Sequence, residues 1–159
     1  VAKGADFEFP GDDPDERELY LRWLDYLRGA VLRNVEGLDD AAAHHRPDGK
    51  LLPLAGIVNH LTWVERRWID GGYLGEAVFR REEEFFPPAS LTVDEVSRSY
   101  RARGARTDEI VCDIPLETPN QLDDAVSLRW TLLHLINETA RHAGHADAVR
   151  ELLDGSTGE

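Results

Sequence analysis

A carboxylate and two imidazoles fall at helical spacing in the stretch Asn137 to Asp147, as Glu138, His142 and His145. Residues four apart on a helix are neighbours one turn up the same face, so Glu138 and His142 share a row. The apolar stripe of this segment is formed by Leu128, Leu132, Leu135, Thr139, Ala146 and Leu153. On a wheel of about 100° per residue, His142 lies about 40° from the centre of that stripe and Glu138 roughly 80° off, on the same side. A carboxylate at the border of a core is costly to bury unless it is paired or bound to a metal. His60 supplies a distant partner: it sits roughly 80° from the centre of its own helix's stripe, a border position from which a side chain can point into an inter-helix crevice. His60, Glu138 and His142 together are a donor set for a divalent metal. Three protein ligands leave a fourth position open, as in catalytic sites.

Each member also has a plainer reading. Glu138 and His142 alone suit a simple ion pair or hydrogen bond on one helix, His60 alone suits a satisfied histidine at a core edge, and the three together could form a hydrogen-bonded polar cluster without metal. His134 and His145 lie on the same general side of the helix but further from the stripe, which fits a supporting, substrate-contacting or solvated residue. Cys112 reads as a small buried hydrophobe near a helix end, and His44 and His45 as a solvated loop pair.

The elements that must position these residues are helical. Asp13-Pro14-Asp15-Glu16 reads as a helix start, with Asp13 as N-cap, Pro14 in the first turn and Glu16 completing a capping box. A first helix is expected from there to about Gly37, with Leu19, Tyr20, Trp23, Leu24, Leu27, Val31 and Val35 on its apolar stripe. Residues 1–12 read as a flexible lead-in and 13–155 as a single helical domain. Leu38 to Leu52 reads as a connection. A second helix follows Pro53 through Ile69 and ends at Gly71-Gly72. Residues 73–91, with the run Glu82-Glu83-Glu84 and the pair Phe85-Phe86, read as a solvated loop whose aromatics fold back onto something apolar. Thr92 and Glu95 form a capping box for a third helix to about Cys112, interrupted at Gly104. After an irregular link, Ser127 caps a fourth helix from Leu128 to Leu153, closed by Gly155. Four helices with no strand pattern of any length predict an all-α four-helix bundle.

Composition narrows the partners. A formal net charge of -13 over 159 residues argues against nucleic acid and anionic membrane surfaces. No apolar run approaches the roughly 20 residues of a membrane span. The single cysteine forms no internal disulfide, so a reducing cytoplasm is the expected compartment.

The combination of Asn59-His60-Leu61 on the second helix and Glu138-Thr139-Ala140-Arg141-His142-Ala143-Gly144-His145-Ala146-Asp147 on the fourth resembles the DinB superfamily, in particular the actinobacterial branch related to the mini-circle protein. The likeness runs from the first helix to Gly155. It implies an up-down-down-up four-helix bundle of DinB/YfiT type, often a homodimer, with a metal in the crevice between helices. Many relatives, the bacillithiol transferases among them, use one histidine on the second helix and a His-x-x-x-His pair on the fourth. Here Glu138 replaces the first histidine of that pair. Resemblance to mycothiol-dependent maleylpyruvate isomerase implies the same His, Glu, His set, which points to His60, Glu138 and His142 as metal ligands. Zinc is the foremost expectation, and nickel, iron and manganese also suit the set. The resemblance further implies a metal-dependent transferase or isomerase acting with a low-molecular-weight thiol such as mycothiol on an electrophilic substrate. In that reading His145 moves a proton or orients a ligand, and Arg141 or Arg129 binds an anionic group of the cofactor. The alternative is a metal-binding, stress-related interaction protein without turnover.

Overall fold

The computed structural model describes residues 9–158, and most of the lead-in expected over 1–12 lies outside them. Within reach of that segment, Phe9 packs on Trp23 and Tyr26, with ring centroids 6.0 and 5.3 Å apart. The protein is an all-α bundle. Its long helices are α1 (Glu16–Arg33), α3 (Leu54–Arg66), α4 (Val93–Val111) and α5 (Leu128–Asp154), and a short α2 (Asp40–His44) lies in the first connection. In the ring of packed helices, α1 lies against α5 and α4, and α3 closes the ring against the same two.

Local chemistry explains the boundaries, including those that differ from expectation. The cap of α1 is Asp15, not Asp13. Asp13 Oδ1 accepts the Asp15 N–H in a local turn, and Asp15 in turn accepts the N–H groups of Arg17 and Glu18 at 2.9 and 3.1 Å. The helix stops at Arg33, short of Gly37, and Gly37 makes its turn at φ 74°. The connection expected to be irregular contains α2 because Asp39 accepts the Ala42 N–H at 2.8 Å and caps it. Thr92 and Glu95 form the expected capping box on α4. Gly104 does not interrupt α4: a Cβ there would stand 3.1 Å from the Arg28 guanidinium, so the glycine makes room for a buried cation. Ser127 and Gly155, the latter at φ 78°, bound α5 as expected.

One small sheet was not expected. Residues Pro119–Asn120 (β1) and Asp123–Ser127 (β2) form an antiparallel hairpin before α5. It docks where α3 ends in a single π-turn, Arg67–Gly71. The fully buried Asn120 donates to the Trp68 carbonyl at 3.3 Å and to Thr131 Oγ1 at 3.2 Å, and Gln121 N–H donates to the Gly72 carbonyl at 2.9 Å. A Cβ at Gly72 would fall 2.4 Å from Asn120 Nδ2, so this close approach requires glycine.

The core divides into two apolar clusters. One gathers Val31, Ile57, Leu61, Tyr100, Ala146 and neighbours; the other gathers Leu24, Val64, Ile69, Leu128, Leu132 and Leu135. Along α5 the changeover falls between Leu135 and Ala143, and along α3 between Leu61 and Val64. Glu138 and His142 therefore sit between the clusters on α5, and His60 adjoins the changeover on α3, next to Leu61. Buried ion pairs occupy other parts of the interior: Arg28 with Glu65 at 2.7 Å, and Arg103 with Asp70 at 2.6 Å. Among the described residues, no helix is long and apolar enough to cross a membrane.

Candidate metal centre

Helices α3 and α5 bring His60, Glu138 and His142 together, with one donor atom from each lying within 4.8 Å of the other two. Glu138 Oε1 stands 3.3 Å from His142 Nε2 and 3.6 Å from His60 Nε2. The two imidazole rings meet edge-on at 4.9 Å between centroids. Both histidines are buried, whereas Glu138 keeps 21% of its side chain exposed, so the trio opens to solvent on the carboxylate side.

Burial sets the protonation of this group. It pushes His60 below the ordinary imidazole range, against the opposing pull of Glu84 and Glu138. Burial, joined by the neighbouring His60, drives His142 down to about 4. Burial would raise the Glu138 carboxyl, but His142 and His60 outweigh it and hold the group below its usual value. Two neutral imidazoles and an ionised carboxylate are the forms in which these side chains bind metals.

Two observations show that the residues fit a divalent cation. Donors bound at about 2.1 Å in a tetrahedron stand about 3.4 Å apart, close to the 3.3 and 3.6 Å separations from Glu138 Oε1. The second concerns hydrogen positions. His60 Nδ1 lies 3.3 Å from Glu84 Oε2, an acceptor that is satisfied by an Nδ1–H donor. A neutral His60 with its proton on Nδ1 turns a bare lone pair at Nε2 toward the Glu138 carboxylate, acceptor against acceptor. A cation between them resolves that conflict.

Glu84 is the residue beside the candidate site that sequence reasoning missed. It comes from the loop between α3 and α4, inside a run of three glutamates that reads as solvated charge, yet it is 3% exposed. Its Oε1 accepts from the Arg67 guanidinium and from the Arg81 N–H. The neighbouring Phe85 folds back as expected, though onto the His60 ring at 4.1 Å, whereas Phe86 stays 41% exposed beneath the Arg46 guanidinium.

The remaining candidates divide. His145 is exposed, with its ring 5.4 Å from that of His142. Arg141 is exposed beside His142 in sequence. Arg129 is not brought to the site: it lies nine residues before Glu138, about 14 Å along the helix axis at about 1.5 Å per residue. Its guanidinium is held by Glu16 at 2.7 Å and Glu117 at 2.8 Å. Cys112 is exposed and not the buried hydrophobe expected, because α4 ends at Val111 and leaves it on the outer side of the turn. His134, one turn before Glu138, stacks on Trp130 at 5.1 Å and meets the edge of Trp68 at 4.7 Å. Trp130 and Leu133 are 43% and 47% exposed, so this aromatic shelf faces solvent next to the candidate metal centre.

The family model of the mycothiol-S-transferases matches residues 19–155. No curated protein matches the chain. Among solved structures, the crystal structure of a conserved protein of a locus from Enterococcus faecalis superposes with a TM-score of 0.67 at 16% identity, covering 87% of this chain and 97% of that one. At that identity the likeness shows the fold alone.

Proposed function

The chain belongs to the DinB-like mycothiol-S-transferase family, and we propose that it transfers a low-molecular-weight thiol of the mycothiol type to an electrophilic carbon, with a divalent metal held by His60, Glu138 and His142. The observation that carries this reading is the meeting of one donor atom from each of these side chains within 4.8 Å, on the side of the bundle that opens to solvent at Glu138. A metal held by these three side chains, zinc foremost, would supply a Lewis acid that favours thiolate over thiol near neutral pH.

The chain's own residues do the rest. The apolar seam around His60 and His142 keeps their imidazoles neutral and the ligand cluster partly dry. His145, exposed beside His142, accepts the proton released by the thiol and passes it to solvent. The aromatic shelf of Trp68, His134 and Trp130 begins one turn from Glu138 and holds the electrophile flat against it. A carbon–sulfur bond forms from a sulfur lone pair, and the leaving group departs with the electrons of the bond that breaks. Arg141, exposed next to His142 in sequence, is the cation assigned in this proposal to an anionic group of the thiol cofactor, whereas Arg129 serves the packing of α1 on α5. A second copy of the chain, on family resemblance, and a cytoplasmic setting, on the single cysteine, complete the proposal.

Turnover tests the reading. Protein loaded with zinc and assayed with a panel of thiols against a haloarene should consume the electrophile with mycothiol, and His60→Ala should abolish that consumption. Turnover that survives the loss of His60 contradicts it.

A further inference from the structure

We propose that Glu84 is a positioning residue of the metal centre, and that the loop carrying it is docked on α3 in order to set which nitrogen of His60 binds metal. The inference rests on the reading of His60 as a ligand. Its evidence is a set of contacts that a solvated acidic loop does not require. Asn59 Nδ2 donates to the Glu84 carbonyl at 2.8 Å, fixing the backbone of the turn beside His60. Phe85 covers the His60 ring at 4.1 Å. The loop reaches this depth through a notch in α3: a Cβ on Gly56 would lie 2.1 Å from the Phe85 carbonyl oxygen. Only glycine leaves that space.

The polarity of Glu84 is fixed from behind. Both the Arg67 guanidinium and the Arg81 N–H donate to Oε1, so Oε2 is the oxygen turned toward His60 Nδ1, at 3.3 Å. A carboxylate there accepts and cannot donate, which places the imidazole proton on Nδ1 and frees Nε2 for the metal. Carboxylates that hold a ligand histidine in this way tune metal affinity by about 10–100-fold.

The arrangement makes an unusual demand on the isosteric variant. In Glu84→Gln, Arg67 and Arg81 still require an acceptor, so the amide oxygen takes the Oε1 place and the NH2 group faces His60. That group donates into Nδ1 and forces the proton onto Nε2, where it blocks the metal. Glu84→Gln should therefore be worse than Glu84→Ala, which leaves the tautomer free.

The experiment combines two readouts on the full chain. The first is Zn²⁺ affinity by competition with a chromophoric chelator for wild type, Glu84→Gln, Glu84→Ala and Gly56→Ala. The second is the His60 tautomer in metal-free wild type and Glu84→Gln, read from imidazole ¹⁵N shifts. Expected are an Nδ1–H tautomer in wild type, an Nε2–H tautomer in Glu84→Gln, and Zn²⁺ binding weakened about 10–100-fold by Glu84→Gln, with Gly56→Ala also weakened although it removes no charge and no ligand. Wild-type His60 protonated on Nε2, or Glu84→Gln binding Zn²⁺ as tightly as wild type, overturns the inference. Wild type that binds no Zn²⁺ contradicts the proposed function instead, and the tautomer measurement still decides the role of Glu84.

Discussion

Glu138 Oε1 stands 3.6 Å from His60 Nε2 across the crevice between α3 and α5. With the imidazole proton on Nδ1, facing Glu84 Oε2 at 3.3 Å, His60 turns its lone pair toward Glu138, and the two do not make a favourable pair by themselves. The relationship becomes favourable once His142, 3.3 Å from the same oxygen, is counted as the third corner of a cation site. The bundle thus places polar donors where its two apolar clusters leave a seam.

The same interior carries a charge pair whose role is structural. Arg28 and Glu65 are nearly inaccessible and meet through two hydrogen bonds of 2.8 and 2.7 Å. Glu65→Ala removes both of these hydrogen bonds and leaves the buried Arg28 guanidinium with Asp108 alone, 3.1 Å from its Nη1, so unfolding stability should fall in urea titrations by about 3 kcal/mol, the low end of the range for breaking a buried pair. A loss below about 1 kcal/mol would show that Asp108 and water satisfy Arg28 without Glu65.

Acid should weaken the metal-free protein before its carboxylates protonate. An imidazole in the unfolded chain titrates near about 6.5, whereas folded His142 is held near 4. Between those values the unfolded state binds more protons, so stability is fully present above the upper value and falls as pH drops toward the lower one. The drop attributable to His142 is on the order of 3 kcal/mol. Thermal melts of chelator-treated protein between pH 7 and pH 4 should show a steeper decline for wild type than for His142→Gln. Identical pH profiles for the two proteins would contradict the assigned burial effect.

The aromatic shelf should act on substrate and leave the metal untouched. Trp130 stacks on His134 with ring planes 10° apart and carries 43% exposure. Aromatic contacts contribute about 0.5–1.5 kcal/mol each, so Trp130→Ala should raise KM for an aromatic electrophile about 2–10-fold with metal content unchanged. Unchanged KM, or loss of metal, would remove Trp130 from substrate binding.

Much of this was legible in the sequence because it depended on helical periodicity. The wheel positions of His60, Glu138 and His142 follow from apolar stripes that the tertiary structure buries as expected, and the caps at Thr92 and Ser127 are local side-chain chemistry. Glu84 was not legible, since its partners His60, in α3, and Arg67, in the π-turn that follows it, lie on the far side of a loop, and a run of three glutamates has the look of a solvated surface. The hairpin at 119–127 escaped for a related reason: its anchor, Asn120, is buried through contacts to Trp68, Thr131 and Gly72, none of them local in periodicity. Gly104 was misread as a break because the large neighbour it accommodates, Arg28, belongs to another helix. In each case the missing information is a side-chain contact between elements.

The most direct test of the account is the metal content of untagged protein. After dialysis against Zn²⁺ and removal of loosely held ion, wild type should retain one equivalent per chain, and His60→Ala, Glu138→Ala and His142→Ala should each lose most of it while remaining folded. Equal metal content in wild type and all three variants would contradict the claim that these side chains form a metal centre.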